Sequence, residues 1–202
     1  MQIVLSTHNR GKMEEMADIL AHLPVELLTL DAFPEIGDIP ETGVTLKENA
    51  FIKAETVHQI TGLPALADDT GLEVDALNGD PGVYSARYAG ENATFEDNCN
   101  KMLSKLDGFP MEERRACFRT VIVFVTVDKN EWTEGMVEGT ILDHKEGDGG
   151  FGYDPIFYYP PLKNTFASLE KDEKNSVSHR GKALRNFSII LEKWIKNNAS
   201  QT

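Results

Sequence analysis

Asp68 and Asp69 stand side by side after the apolar run of residues 64–67, and Thr70-Gly71 follow them. Two adjacent carboxylates at the mouth of an apolar segment carry a desolvation penalty unless a cation meets them. A hard divalent ion such as Mg2+ is the natural candidate, because it prefers carboxylate oxygen. A solvated turn uses the same residue types, so this stretch alone leaves both readings open. Glu41, in a loop with Pro34 and Pro40, is a possible third acid. Near the amino terminus, Ser6-Thr7-His8-Asn9-Arg10-Gly11-Lys12 is entirely polar or glycine. Further on, Gly147-Asp148-Gly149-Gly150-Phe151-Gly152-Tyr153-Asp154-Pro155 sets two aromatics among glycines. Glycine lets backbone approach a ligand closely, and aromatics offer a stacking platform for a planar ring. Lys174, Ser178, His179, Arg180 and Lys182 then gather cations at a helix start, where the dipole disfavours them. Acids for a metal, cations for phosphates and an aromatic loop for a ring point together to a nucleotide with Mg2+.

These groups need elements to hold them. Ile3, Val4 and Leu5 read as a short buried strand, and Met13, Met16, Ala17, Leu20 and Leu23 recur at helical spacing. The polar loop between them therefore opens a helix, whose free N–H groups and partial positive charge suit phosphate. Lys12 adds a full charge there. The loop fails the GxxxxGK[ST] pattern, because the first glycine is missing and Met13 stands in the Ser/Thr position. Phosphoryl transfer in the P-loop manner is thus not expected. Residues 26–29 suggest a second strand. Thr45 and Glu48 form a capping box for a helix that runs to Gly62, with Lys53 beside its apolar face. Residues 64–67 read as a strand end, residues 68–71 as a tight turn, and residues 72–76 as a new strand with one buried face. Thr94 and Asp97 cap a third helix carrying Phe95, Cys99, Met102, Leu103 and Leu106. Residues 115–127 alternate over a long distance, and residues 132–142 return as a partner strand. The last helix bears Leu184, Phe187, Leu191, Trp194 and Ile195 on one face. The pattern is α/β, with a long antiparallel hairpin inserted after the third helix.

At 202 residues the chain is able to bury a real core, and 41% hydrophobic with 26% charged residues is ordinary globular composition. A net charge of −13 argues against a general nucleic-acid or membrane-surface binder, though not against an anionic small ligand in a locally cationic site. No run of about 18 apolar residues suggests a membrane span. The amino terminus lacks the basic-then-apolar pattern of a signal peptide, so none is expected. Cys99 and Cys117 alone build neither a zinc site nor a disulfide framework, which fits a reducing cytoplasmic setting.

The polar loop at residues 6–12, Ala67-Asp68-Asp69-Thr70-Gly71-Leu72, Pro81-Gly82-Val83-Tyr84-Ser85-Ala86-Arg87-Tyr88, Gly150-Phe151-Gly152-Tyr153-Asp154-Pro155 and Ser178-His179-Arg180-Gly181 resemble the Ham1/RdgB inosine triphosphate pyrophosphatases. The resemblance runs in order over almost the whole chain. It implies Mg2+-dependent hydrolysis of non-standard purine triphosphates (ITP, dITP, XTP) to monophosphate and pyrophosphate, by a homodimer. It also implies an elongated central mixed sheet with flanking helices, in two lobes around a substrate cleft. Residues 1–202 would be one domain, with the hairpin of residues 115–142 contributing the second lobe. By the same resemblance Asp69 is the catalytic base and a metal ligand, and Glu41 and Asp68 are metal-site acids. Thr7, His8, Asn9, Arg10, Gly11 and Lys12, with Lys53 and Thr70, form the triphosphate cradle. Phe151, Gly152, Tyr153, Asp154, Lys174, His179 and Arg180 contact base and sugar. Many members carry glycine in place of His8, serine in place of Thr70, and some a second acid in place of Pro40. A nucleotide sensor without turnover and a pyrimidine-directed pyrophosphatase remain open alternatives.

Overall fold

The computed structural model describes residues 1–199. In chain order the elements are β1 (Gln2–Leu5), α1 (Arg10–Leu20), β2 (Glu26–Leu28), α2 (Leu46–Thr61), β3 (Ala65–Val74), β4 (Pro81–Gly82) and α3 (Phe95–Lys105). The hairpin strands β5 (Arg115–Val125) and β6 (Asn130–Ile141) follow, then β7 (Phe157–Tyr159), β8 (Asn164–Thr165), α4 (Lys171–Val177) and α5 (His179–Ala199). Hydrogen bonding orders the strands β2-β1-β3-β5-β6-β7-β8, with β4 paired to β3. β1 is parallel to both β2 and β3, whereas β7 runs antiparallel to β6 and β8, so the sheet is mixed. The α/β class expected from the pattern is the class observed. Among the described residues no helix is long and apolar enough to cross a membrane.

The chain divides into two compact units. The first holds Met1–Asp69, Thr120–Gly135 and the chain from Arg180 onward; the second holds Thr70–Arg119 and Met136–His179. β3, β5 and β6 each pass from one unit into the other, so the hairpin is shared between them.

In the first unit, Ile3 and Leu5 of β1, Leu66 of β3 and Ile122 and Phe124 of β5 pack with Met16 and Leu20 of α1. Leu184, Phe187, Leu191 and Trp194 of α5 complete that core. Val4 stands opposite Ala65 and Leu5 opposite Leu66. Because side chains alternate along a strand, Val4, Ala65, Ala67 and Asp69 leave the other face. α2 lies on that second face, since its Lys53 bonds to Asp69. Its capping box is closed at Thr45 and Glu48, and Gly62, at φ 67°, ends it in the left-handed conformation that glycine adopts without strain. In the second unit, Leu72, Val74, Cys99, Met102, Phe118, Ile141, Phe157 and Phe166 form a separate core.

One local expectation is corrected. Residues 68–71 are not a turn: β3 runs unbroken from Ala65 to Val74 through Asp68 and Asp69. Turn propensity lost to tertiary pairing. β1 and β5 flank the strand, β4 pairs with its far end, and cations meet both acids. Phe95, expected in the buried stripe of α3, is instead 49% exposed, while Cys99 and Met102 are buried.

Candidate active site

The acids and lysines of the first unit sit on the two faces of β3. Consecutive strand residues point to opposite sides, so Asp68 and Asp69 cannot share a face. Asp68 is fully buried beside α1 and α5. Its Oδ2 meets Lys12 Nζ at 3.1 Å and accepts a hydrogen bond from Arg180 Nε at 3.0 Å. The same guanidinium, through Nη1, donates to Glu15 of α1. Burial alone would raise the Asp68 pKa, but Lys12 and Arg180 outweigh it and hold the carboxyl far below its usual range. Arg180 is pushed above its ordinary value, because Asp68 and Glu15 outweigh its burial. Burial wins at Lys12, whose pKa is lowered despite Asp68.

On the opposite face Lys53 joins two acids. Its Nζ donates to Glu41 Oε1 at 2.6 Å and to Asp69 Oδ1 at 2.9 Å. Burial would lower the Lys53 pKa, and Asp69 with Glu41 reverses that to a net rise. The Asp69 pKa rises as well. Burial raises it, and the pull of Lys53 and Lys12 does not fully offset burial and the nearby Glu41. Asp69 Oδ2 is buried with no hydrogen-bond partner among the described residues.

This donor set fits a hard divalent cation. Two carboxylates from different elements converge, and one buried oxygen lacks a donor. Mg2+ characteristically takes one or two protein carboxylates and completes its shell with water and substrate phosphate. The three-acid set is not assembled: Asp68 faces away from Glu41 and Asp69, toward Lys12 and Arg180. No group of three His, Cys, Asp or Glu placed to hold a metal occurs among the described residues.

The polar loop lies where the strand–loop–helix reading put it. Asn9 caps α1, its Oδ1 accepting the Lys12 N–H at 3.1 Å, and Thr7 Oγ1 accepts the Asn9 N–H at 3.2 Å. His8 and Arg10 are exposed; Arg10 and Gly11 open α1, and His8 lies before its cap Asn9. Thr70 follows the acids in β3, half-buried, and belongs to the second unit.

The aromatic loop of the second unit is organised around Asp154. This carboxylate is 2% exposed; its Oδ2 accepts the Phe151 N–H at 2.8 Å and Lys174 Nζ at 2.6 Å. Lys174 Nζ also lies 4.5 Å from the centre of the Phe151 ring, a cation–π distance. Gly150 has φ 70°, and a Cβ on it would fall 2.2 Å from Asp154 Oδ2, so the loop closes over the acid only with glycine there. Gly152 also has positive φ. Buried Tyr153 donates from its hydroxyl to the Ser85 carbonyl at 2.8 Å, which ties the loop to the Ser85-Ala86-Arg87 segment. His179 stacks on Phe118 at 4.5 Å between ring centres and 18° between planes.

Sequence reading grouped Arg180 with the base contacts; the structure gives its guanidinium to Asp68 and Glu15. Glu15, Phe118 and Phe95, whose ring lies 6.1 Å from that of Phe151, were not foreseen as neighbours of these groups. Glu15 had a signal, since it lies three residues after Lys12 on one helix. Phe118 had none beyond its place in a strand. Burial raises the Cys99 thiol to about 11 and raises Cys117 as well, which disfavours the thiolate form of both.

Within a mixed α/β sheet, two carboxylates and a buried lysine thus meet at β3. The Ham1 family pattern matches residues 3–190, and the chain belongs to that family. It is 51% identical over 184 residues to the dITP/XTP pyrophosphatase of Geobacter sulfurreducens, covering 91% of this chain and 92% of that one. To the dITP/XTP pyrophosphatase of Thermoanaerobacter pseudethanolicus it is 50% identical over 196 residues, covering 97% and 99%. Among solved structures it is similar to a HAM1 protein from Coxiella burnetii, with TM-score 0.87, 43% identity and coverage of 96% and 99%.

Proposed function

We propose that this protein hydrolyses non-standard purine nucleoside triphosphates, dITP, ITP and XTP, to the nucleoside monophosphate and pyrophosphate. Its role is then to remove deaminated purines from the nucleotide pool. The observation that carries the reading is the Glu41–Lys53–Asp69 constellation, with its lysine and aspartate buried, in a chain half-identical to dITP/XTP pyrophosphatases. Lys12 and Lys53 neutralise the triphosphate. Asp69 orients the attacking water and takes its proton. Water adds its oxygen to phosphorus, the bond between the α- and β-phosphates breaks, and pyrophosphate leaves. Mg2+ held by Glu41 and Asp69 would offset the charge that develops on pyrophosphate and lower the pKa of water.

The aromatic loop is assigned the base. Phe151 offers a stacking face, and Lys174 and His179 offer donors toward the C6 keto oxygen of hypoxanthine or xanthine. Adenine presents an amino group at that position and would set donor against donor. The working form we propose is a cytoplasmic homodimer; exposed Val127 and Trp132 on the hairpin support the dimer, and the two free cysteines the compartment. Incubation with ITP and Mg2+, followed by phosphorus NMR, tests the reaction. One IMP and one pyrophosphate per ITP are expected, and IDP with orthophosphate would overturn the reading.

A further inference from the structure

We propose that Asn49 is a positioning residue for the Glu41 carboxylate, an inference that rests on the role given to Glu41 above. Asn49 lies on α2 four residues before Lys53, so both side chains leave the same helix face. It is completely buried, an uncommon place for an amide. Its Oδ1 accepts the Gly43 N–H at 2.7 Å. Because an N–H can only donate, this bond fixes which end of the amide is which. Nδ2 is then a buried donor with no acceptor among the described residues. An amide kept only for packing is readily replaced by an apolar group of its shape, whereas this one makes a single bond, to the segment that carries Glu41.

Gly43 is pressed against the helix. A Cβ there would lie 2.6 Å from Glu48 Cβ and 2.8 Å from Asn49 Oδ1. Glu48 Oε2 accepts the next two N–H groups, Val44 at 2.7 Å and Thr45 at 3.2 Å. The segment is thereby fixed to the first turns of α2, and Glu41, two residues earlier, is held where it meets Lys53. Glu48 is exposed, so water competes for its bonds; the Asn49 bond is shielded. Small displacements of a reacting or metal-holding group have large effects on rate, which is why a shielded clamp matters here.

Asn49→Leu removes the bond at similar volume. It should raise the Mg2+ concentration for half-maximal turnover about tenfold, the effect typical of lost support behind a ligand. The nucleotide KM at saturating Mg2+ should stay within about twofold, since contacts made to substrate are untouched. Mn2+ binding to the nucleotide-free protein, followed by electron paramagnetic resonance, should weaken about tenfold as well. Gly43→Ala attacks the same contact from the other side and should give the same signature; it carries the test if Asn49→Leu does not fold. In a Glu41→Gln background either change should alter turnover by less than about twofold, because it acts through Glu41. Equal losses in both backgrounds, or unchanged Mn2+ binding, would overturn the inference. Glu41→Gln alone with normal turnover would instead remove the role of Glu41 itself, and this inference with it.

Discussion

Asp68 and Asp69 are joined by one peptide bond, and strand geometry turns their side chains to opposite faces of the sheet. One is held ionised by Lys12 and Arg180; the other is pushed toward its neutral form by burial. Their variants should therefore fail differently. Asp69→Asn should lower turnover by on the order of 10²–10⁴, the usual cost of losing a positioned base, and largely spare nucleotide binding. Asp68→Asn leaves buried cations short of a partner and should destabilise by about 3–5 kcal/mol, read by urea unfolding. Stability equal to wild type would contradict the buried ion-pair account. The pH dependence follows with its sign. A carboxyl whose folded pKa lies below its unfolded value of about 3.9 stabilises above that value and loses the contribution as pH falls toward the folded pKa. Asp69, raised, acts in the opposite sense, since its protonation on acidification relieves the fold. Lys53, also raised, stabilises up to its unfolded value of about 10.4 and loses that contribution as pH rises through the folded pKa. The urea midpoint should thus fall below about pH 4, and fall less steeply in Asp68→Asn.

Capping boxes at Thr45 and Thr94, the alternation of the hairpin and the apolar face of α5 were all legible, because each is a local rule obeyed locally. β3 was not. Asp-Asp-Thr-Gly reads as a turn by propensity, and only the pairing of β3 with its neighbours and the remote cations Lys12, Lys53 and Arg180 make it a strand. The site divides the same way. The meeting of Asp69 and Glu41 at Lys53 was suggested by the family resemblance rather than by residue type, whereas Glu15 and the partners of Arg180 depend on a contact spanning 165 positions. Gly139, inside β6, is another position whose reason is tertiary. A Cβ there would lie 2.5 Å from Phe157 Cζ and 2.6 Å from the Tyr158 carbonyl oxygen. Gly139→Ala should therefore force β6 from β7 and destabilise by about 1–3 kcal/mol, read as a lower urea midpoint. An unchanged midpoint would mean that the strand pair yields freely.

Across the whole molecule a net charge of −13 surrounds a site read as binding a polyanion. The proposed reading assigns discrimination to local groups, lysines for phosphate and aromatic residues for the base, rather than to the overall field. For the assembly, sedimentation at micromolar concentration should give about twice the 22.5 kDa chain mass; a monomer would count against the homodimer. The central claim, selection of deaminated purines, is tested most directly by kcat/KM for ITP, XTP, GTP and ATP under one Mg2+ concentration. A pocket built to hydrogen-bond a group rejects an analogue that leaves its polar atoms unmet, by a factor of about 10⁴. The account predicts ITP and XTP well above GTP, and GTP at or above ATP. ATP turned over as well as ITP would contradict it.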